Sequence, residues 1–502
     1  MNMPKKLLSK SKYLNGLQCL KYLWLLYNDP GKIPAFDAST LRIFDQGHQV
    51  GELGRQLFPG GINIPDGDFM GNLKLTKKLL AERKPLFEPG FYQDNLFSRL
   101  DILNPAGDAA WDIIEVKSST SVKDVNLQDV SFQRHCAQKA GVKINRCFLA
   151  VVNNKYIKNG DINPSEYFTL HDITEKVDQA AQGIEERIEE MFRVITAPAC
   201  PKIRIGEYCS SPYGCPVTLC SAGLPESNIF ELYRGGKKCY QMFYDGILKV
   251  EDITADYKLS EAQQIQKECT ISGTPHVDKK AVREFLSKIK PPVYYLDFET
   301  VSPVIPLFDG TRPYQRIPFQ YSLHKVTGSE IKHYSFLAEG KDDPRPALLK
   351  QLKKEIGTKG SILTYNQSFE EGVIREITEV FPEYAEWSEA IYPRMLDLLQ
   401  PFQSFSYYHP EQHGSASIKK VLPALTGKGY SDLAIAEGEA ASSAFLTVTF
   451  GEAAEAERLQ VRRDLEKYCG LDTEGMIWIV DALKKATDGK KQIGVQGRLD
   501  GL

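Results

Sequence analysis

The segment VYYLDFET, residues 293–300, constrains this chain more than any other. Pro291–Pro292 stops whatever precedes it, and a run of β-branched and aromatic residues follows, which predicts a strand. Side chains alternate along a strand, so Asp297 and Glu299 share one face with Tyr295, while Leu296 and Phe298 point into a core on the other. The runs FQYSLHKV and IKHYSFLA, around the turn VTGSE, read as two further strands of an antiparallel meander. A helix over about 344–356, a strand SILTYN, a helix opening at Glu370 and a strand RMLDLL follow. A last helix, DLEKYCGLDTEGMIWIVDAL, carries Tyr468 and Asp472, four apart and therefore on one helical face. Alternating strands and helices predict a layered α/β domain from about 291 to 487.

Acids two apart on a strand are common on solvated surfaces. What gives these weight is that Asp297 and Glu299, then Glu370, then Tyr468 and Asp472 occur in order, each in a fitting element. Hard Mg²⁺ or Mn²⁺ prefers carboxylate oxygens, and a pair of such ions clamps the attacking and leaving oxygens of a phosphodiester. A tyrosine beside them can orient the attacking water. The pattern resembles the DnaQ-like (DEDD) 3′→5′ exonucleases: D-x-E at Asp297 and Glu299, N-x-x-F-E at Asn366–Glu370, and Y-x-x-x-D at Tyr468–Asp472, the spacing of the tyrosine subclass. The resemblance implies an RNase H-like fold with Asp297, Glu299, Glu370 and Asp472 as metal ligands. Glu370 stands where that family usually has Asp, with Glu371 beside it. His409 and His413 are either ligands or loop residues, Lys419 and Lys420 are candidate phosphate contacts, and Asp397 is an outer acid.

The first half of the chain has its own hairpin signal: LFSRLDIL, the turn NPAGD, then WDIIEVKSS. Asp101 ends the first run. Glu115 and Lys117 share a face of the second, so Asp101 and Glu115 form a carboxylate pair across the hairpin, with the Lys117 ammonium beside it. A helix over Leu127–Ala140, a buried strand CFLAVVN and a long charged helix over about 172–195 follow. These residues resemble the PD-(D/E)XK nucleases, in particular the RecB-like exonucleases. The resemblance implies a restriction-endonuclease-like fold, Asp101 and Glu115 as metal ligands, Lys117 as catalytic lysine and Gln133 as the family's glutamine. Ala137 stands where the family's tyrosine would be. Glu88 is an additional candidate acid. The histidine of the family's early helix is missing, because Gly51 stands four residues after Gly47; His48 and Glu52 are its possible replacements.

Ten cysteines occur in 502 residues. No run of about 18 apolar residues is present, and no apolar signal core follows the basic N-terminus, so the expectation is a cytoplasmic protein without a membrane partner. In a reducing compartment, metal or cluster ligation is the first reading of clustered thiols. Cys209, Cys215 and Cys220 lie in one loop at C-x5-C-x4-C spacing, and Cys19 lies far upstream. One cysteine before the nuclease core and three after it resembles the four-cysteine [4Fe–4S] layout of a subset of RecB-like exonucleases. Zinc is the alternative metal, and Cys200 is a competing fourth ligand. Cys136, Cys147, Cys239, Cys269 and Cys469 read as small core hydrophobes.

The expected organisation is therefore α/β throughout: a PD-(D/E)XK domain with the cysteines over 1–225, a helical linker, weakly helix-hairpin-helix-like, over 226–290, an RNase H-like DEDD domain over 291–487 and a polar tail over 488–502. The whole chain resembles a bacterial family that fuses a RecB-like nuclease domain to a DnaQ-like exonuclease domain. A net charge of −3 does not oppose nucleic-acid binding, which needs only a local basic groove. The resemblance implies a metal-dependent nuclease acting on DNA ends or single strands. The rival expectation is a nucleic-acid-binding scaffold with one or both centres degenerate. Tyr294, Tyr295, Tyr321 and Tyr365 are candidate base-stacking residues or core residues.

Overall fold

A computed structural model describes residues 6–65 and 67–488. The expected tail, from residue 489 onward, lies outside the described residues. Over those residues the protein is mixed α/β and divides into two compact units, Met1–Gly223 with Pro303–Gln315, and Leu224–Ser302 with Arg316–Leu502. No described helix is long and apolar enough to cross a membrane.

The first unit is built on a six-stranded mixed sheet whose spatial order follows the chain: Ile62–Asn63, Leu86–Phe87, Ile102–Ala106, Ala110–Lys117, Ile144–Val152 and Phe168–Asp172. Ile102–Ala106 and Ala110–Lys117 form the expected hairpin. The parallel pairing of Ala110–Lys117 with Ile144–Val152 needs a crossover, which the helix Asp124–Lys139 supplies. That central strand is buried on both faces. Trp111 and Ile113 join a core with Val130 and Leu149, while Ile114 and Val116 join one with Val50 and Leu53 of the helix Ala38–Arg55. Gly54 lets that helix approach: a Cβ there would sit 2.8 Å from a Val116 methyl. The long helix expected over 172–195 is two, Thr174–Ala180 and Ile184–Thr196, because Gly183 turns the chain in the left-handed region at φ 69°. The segment 303–315 belongs to this unit through Val304, whose carbonyl accepts from the Tyr167 hydroxyl at 2.9 Å, and Asp309, which pairs with Lys158 at 2.7 Å.

The second unit has a five-stranded sheet in the order Glu330–Leu337, Ile317–Thr327, Val293–Val301, Ser361–Thr364, Met395–Asp397. The acidic strand Val293–Val301 is central, antiparallel to Ile317–Thr327 and parallel to Ser361–Thr364. Its core-facing Tyr294, Leu296 and Phe298 pack with Leu348, Leu352, Ile374 and Ile377. The terminal helix Glu455–Thr487 runs longer than the sequence suggests. Its buried positions, Leu465, Tyr468, Asp472, Met476, Ile479 and Leu483, recur every three or four residues and form one stripe. Gln320 of the sheet donates to the carbonyl of Leu465 at 2.9 Å. The segment 226–290, expected as a linker, groups with this unit. It has a small core of Ile229, Leu232, Cys239, Met242, Val250 and Ile253, and its strand His276–Val277 pairs with Tyr407–Tyr408.

Candidate functional site

The acidic strand, the terminal helix and the helix Gln367–Val380 bring four carboxylates together in the second unit. Ligand oxygens of Asp297, Glu299 and Asp472 lie within 4.8 Å of one another, the one such triad of ligand atoms among the described residues. A register shift after Glu299 bends the strand at this point. Asp297 retains some exposed surface, whereas Glu299 and Asp472 are buried. Glu370 stands in the first turns of its helix, only 2% exposed. One of its oxygens, Oε2, is buried without a hydrogen-bond partner. Burying a carboxylate in this way is unfavourable unless the group is neutral or meets a cation.

The electrostatics agree. Burial, then the Asp472 charge, raises the Asp297 pKa well above the carboxylate range. Burial and the charges of Asp297 and Asp472 do the same to Glu299, and burial with Asp297 does so to Glu370. Asp472 rises to about 7 through burial, against the opposing effects of the Tyr430 hydrogen bond and Lys419. Like charges held this close favour protonation or a bound cation. Three carboxylates with ligand oxygens within 4.8 Å, and the unpartnered oxygen of Glu370, make a donor set of hard oxygens that could hold a divalent cation.

Three further groups border the acids. Burial and the neighbouring carboxylates push the Tyr468 phenol well up, so it stays protonated and offers a donor. Tyr430 donates to Asp472 Oδ1 at 2.5 Å, and the two tyrosine rings lie 6.1 Å apart. Lys419 Nζ lies 5.4 Å from the Tyr468 ring centre and pairs with Glu437 at 2.6 Å. Cys469, read from the sequence as a simple core residue, donates its thiol to Asp297 at 3.7 Å. Tyr430 is not singled out by the sequence, since nothing in its spacing ties it to Asp472.

The other candidates here serve the scaffold. Asp397 accepts from the backbone of Asn366 and Leu399, each at 2.9 Å. His409 caps a short turn through Glu411 N, and His413 meets Glu231 at 3.1 Å. Lys420 is exposed, and Glu371 pairs with Arg375. Tyr294, Tyr295 and Tyr321 are buried core residues, and the Tyr365 hydroxyl donates to Ala416 O at 2.7 Å. Stacking on bases is not open to the buried three.

In the first unit, Asp101 lies at the start of the hairpin, and its Oδ2 accepts from Val116 N at 2.8 Å, between Glu115 and Lys117. Lys117 Nζ is 2.6 Å from Glu115 and 2.8 Å from Asp129. Gln133 donates to both of those carboxylates, at 2.8 Å each, which leaves its own Oε1 buried without a partner. Lys10 enters from the helix Lys10–Gln18, 3.0 Å from Glu115 and 3.7 Å from Asp129. Burial alone would lower both lysine pKa values; the charges of Asp129 and Glu115 overcome it and raise them. Asp129 and Lys10 were missed by sequence reasoning. Asp129 precedes Gln133 by one helical turn, the one local signal that could have found it. Glu88 pairs with Arg55 at 3.0 Å, and His48 and Glu52 are exposed.

Cys19, Cys209, Cys215 and Cys220 line one cavity of about 140 Å³, with Lys21 and Arg204 at its wall. Cys200 packs nearby but does not line it. The donor set, four thiols around one cavity, is one that could hold a metal ion or a cluster.

The chain is 30% identical over 224 residues to the "Uncharacterized protein MG366" of Mycoplasma genitalium, which covers 40% of this chain and 33% of that one. It is 25% identical over 228 residues to the MG366 homolog of Mycoplasma pneumoniae, 40% and 34% of the two chains. It is 27% identical over 235 residues to the "Uncharacterized protein UU173" of Ureaplasma parvum, 42% and 34%. The chain thus spans about a third of the length of the curated relatives it matches. Residues 294–417, which include Asp297, Glu299 and Glu370 but end before Tyr468 and Asp472, match the family described as a domain of unknown function (DUF2779).

Proposed function

We propose that the second unit is a metal-dependent nuclease that hydrolyses phosphodiester bonds at DNA ends or in single strands. The observation that carries this is the convergence of Asp297, Glu299 and Asp472 within 4.8 Å, with the orphaned Oε2 of Glu370 beside them. The mixed sheet with the acidic strand at its centre supports the RNase H-like, DEDD reading of this unit. Bound Mg²⁺ or Mn²⁺ supplies charge stabilisation at the phosphate and lowers the pKa of attacking water. Asp297, Glu299, Glu370 and Asp472 hold and orient. Tyr430 fixes one oxygen of Asp472. Tyr468 donates its phenolic hydrogen bond toward the attacking water or the phosphate oxygen. Lys419, released from exposed Glu437, neutralises the phosphate.

In the first unit, the hairpin, the crossover helix and the set Asp101, Glu115, Lys117 and Gln133 support a PD-(D/E)XK centre of the RecB-like kind. The four-cysteine cavity supports a thiol-bound [4Fe–4S] cluster, with zinc as the alternative, bracing Cys19 to the loop 209–220 as a cross-link would. A second reading applies to this unit alone: it binds nucleic acid without cutting. The observation favouring it is that both oxygens of Glu115 are already engaged, by two lysines and Gln133.

A panel of end-labelled single-stranded DNA, duplex DNA and RNA, with and without Mg²⁺ or Mn²⁺, tests the proposal. Metal-dependent shortening of at least one substrate is expected. Binding of every substrate without cleavage under any metal would leave the scaffold reading in its place.

A further inference from the structure

In the first unit, Glu115 and Asp129 are each held twice without Lys10. Lys117 reaches both carboxylates, and so does Gln133. Lys10 is therefore a surplus cation in this cluster, and it comes from a different element. That element is the helix Lys10–Gln18, whose C-cap is Cys19, one of the four cavity cysteines. Nine residues at the helical rise span about 13 Å, so one short rod joins the carboxylates to the cavity.

The rod is fixed along its length. Before it, Leu8 and Ser9 pair with Leu96 and Phe97. In its middle, Tyr13 stacks on Phe132, 4.6 Å between ring centres, on the same helix as Asp129 and Gln133. Gly16 lies so close to Met191 that a Cβ would stand 2.8 Å from its sulfur. At its end, Gln18 donates to the carbonyls of Tyr208 and Tyr213, at 2.9 and 2.7 Å, which flank Cys209 in the cysteine loop. One packed helix thus carries Lys10 at its start and a direct hydrogen-bonded tie to the cysteine loop at its end.

We propose that Lys10 is an internal cation that competes with a divalent ion for Glu115, and that the helix Lys10–Gln18 sets its position from the cysteine cavity. The proposal rests on reading the first-unit acids as a divalent-ion site. An ordered cavity holds Lys10 against Glu115 and keeps the ion affinity low. Loosening of the cysteine loop lets Lys10 withdraw, and the affinity rises. The state of the thiol site thereby tunes the first unit's metal occupancy.

The test uses the full chain purified without oxygen. It carries Asp297→Ala to silence the second unit's ion site, and Mn²⁺ binding is followed by paramagnetic resonance. Lys10→Met removes one positive charge close to the bound dication and is expected to tighten binding about tenfold. Lys10→Arg keeps the charge and is expected to stay near the parent. Gln18→Ala cuts the tie to the cysteine loop without touching a thiol. It is expected to tighten binding in the same direction, and to add nothing once Lys10→Met is in place. Unchanged or weaker binding in Lys10→Met overturns the proposal, as does full additivity of the two substitutions. Asp101→Ala separates the proposal from the reading beneath it. If Asp101→Ala leaves Mn²⁺ binding intact, the reading of the first unit falls and the proposal with it. If it abolishes binding while Lys10→Met changes nothing, only the proposal falls.

Discussion

Replacing Asp472 by Asn is expected to stabilise the metal-free protein while destroying its proposed activity. The Asp472 pKa rises from 3.8 to about 7 in the fold. That is roughly three pH units, and at 1.36 kcal/mol each it amounts to about 4 kcal/mol. The group is neutral more readily in the folded chain than in the unfolded one, so the folded state binds more protons between those two values. Stability then falls as pH rises through that window, and the whole penalty is present above about 7. The amide of the Asp472→Asn protein carries no such penalty and still accepts the Tyr430 hydrogen bond. Denaturant unfolding in chelator should place the Asp472→Asn protein up to about 4 kcal/mol above the parent near pH 8, with the gap closing toward pH 4. Added Mg²⁺ should raise the parent near pH 8 much more than the variant. A variant less stable than the parent near pH 8, or a gap indifferent to pH, would refute the account of this site as a cluster of repelling acids awaiting a cation.

Three other outcomes are expected. Tyr468→Phe removes one hydroxyl from the edge of the site and should slow single-turnover cleavage at least about a hundredfold, with Mn²⁺ affinity unchanged; a loss of ion binding instead would make Tyr468 a structural residue. Glu370→Gln keeps the shape and removes one ligand charge, so Mn²⁺ binding at the second unit should weaken by about tenfold or more, as read by calorimetry; unaltered affinity would take Glu370 out of the ligand set. Gly54→Ala drives a methyl to 2.8 Å from Val116 and should destabilise the first unit by about 1–3 kcal/mol, measured by denaturant unfolding, with Val116→Ala in the same chain restoring most of it.

The parts of the site legible in the sequence are those that one element carries alone. Asp297 and Glu299 declare themselves through the two-residue period of a strand, and Tyr468 with Asp472 through the four-residue step of a helix. The mixed α/β class follows from the alternation of such elements. What stays hidden depends on contacts between distant segments. Tyr430 lies 42 residues from its partner Asp472, and Lys10 lies 105 from Glu115. Neither carries a local pattern that distinguishes it from an ordinary tyrosine or surface lysine. Cys469 looks like a core hydrophobe because it is one; only the fold sets it beside Asp297. The stretch 172–195 reads as one continuous helix because amphipathic periodicity resumes after Gly183, and a single left-handed residue breaks the backbone without breaking the pattern. The grouping of 303–315 with the first unit has no signal, since a loop between two paired strands gives no hint of where its side chains pack.

The central claim concerns the carboxylates of the second unit, and one comparison tests it most directly. End-labelled single-stranded DNA is incubated with the parent, Asp297→Ala and Lys117→Ala proteins under the same Mg²⁺ or Mn²⁺ concentrations. The account predicts metal-dependent cleavage by the parent and by Lys117→Ala, and loss of that cleavage in Asp297→Ala. Full activity of Asp297→Ala on the substrate that the parent cuts would contradict it.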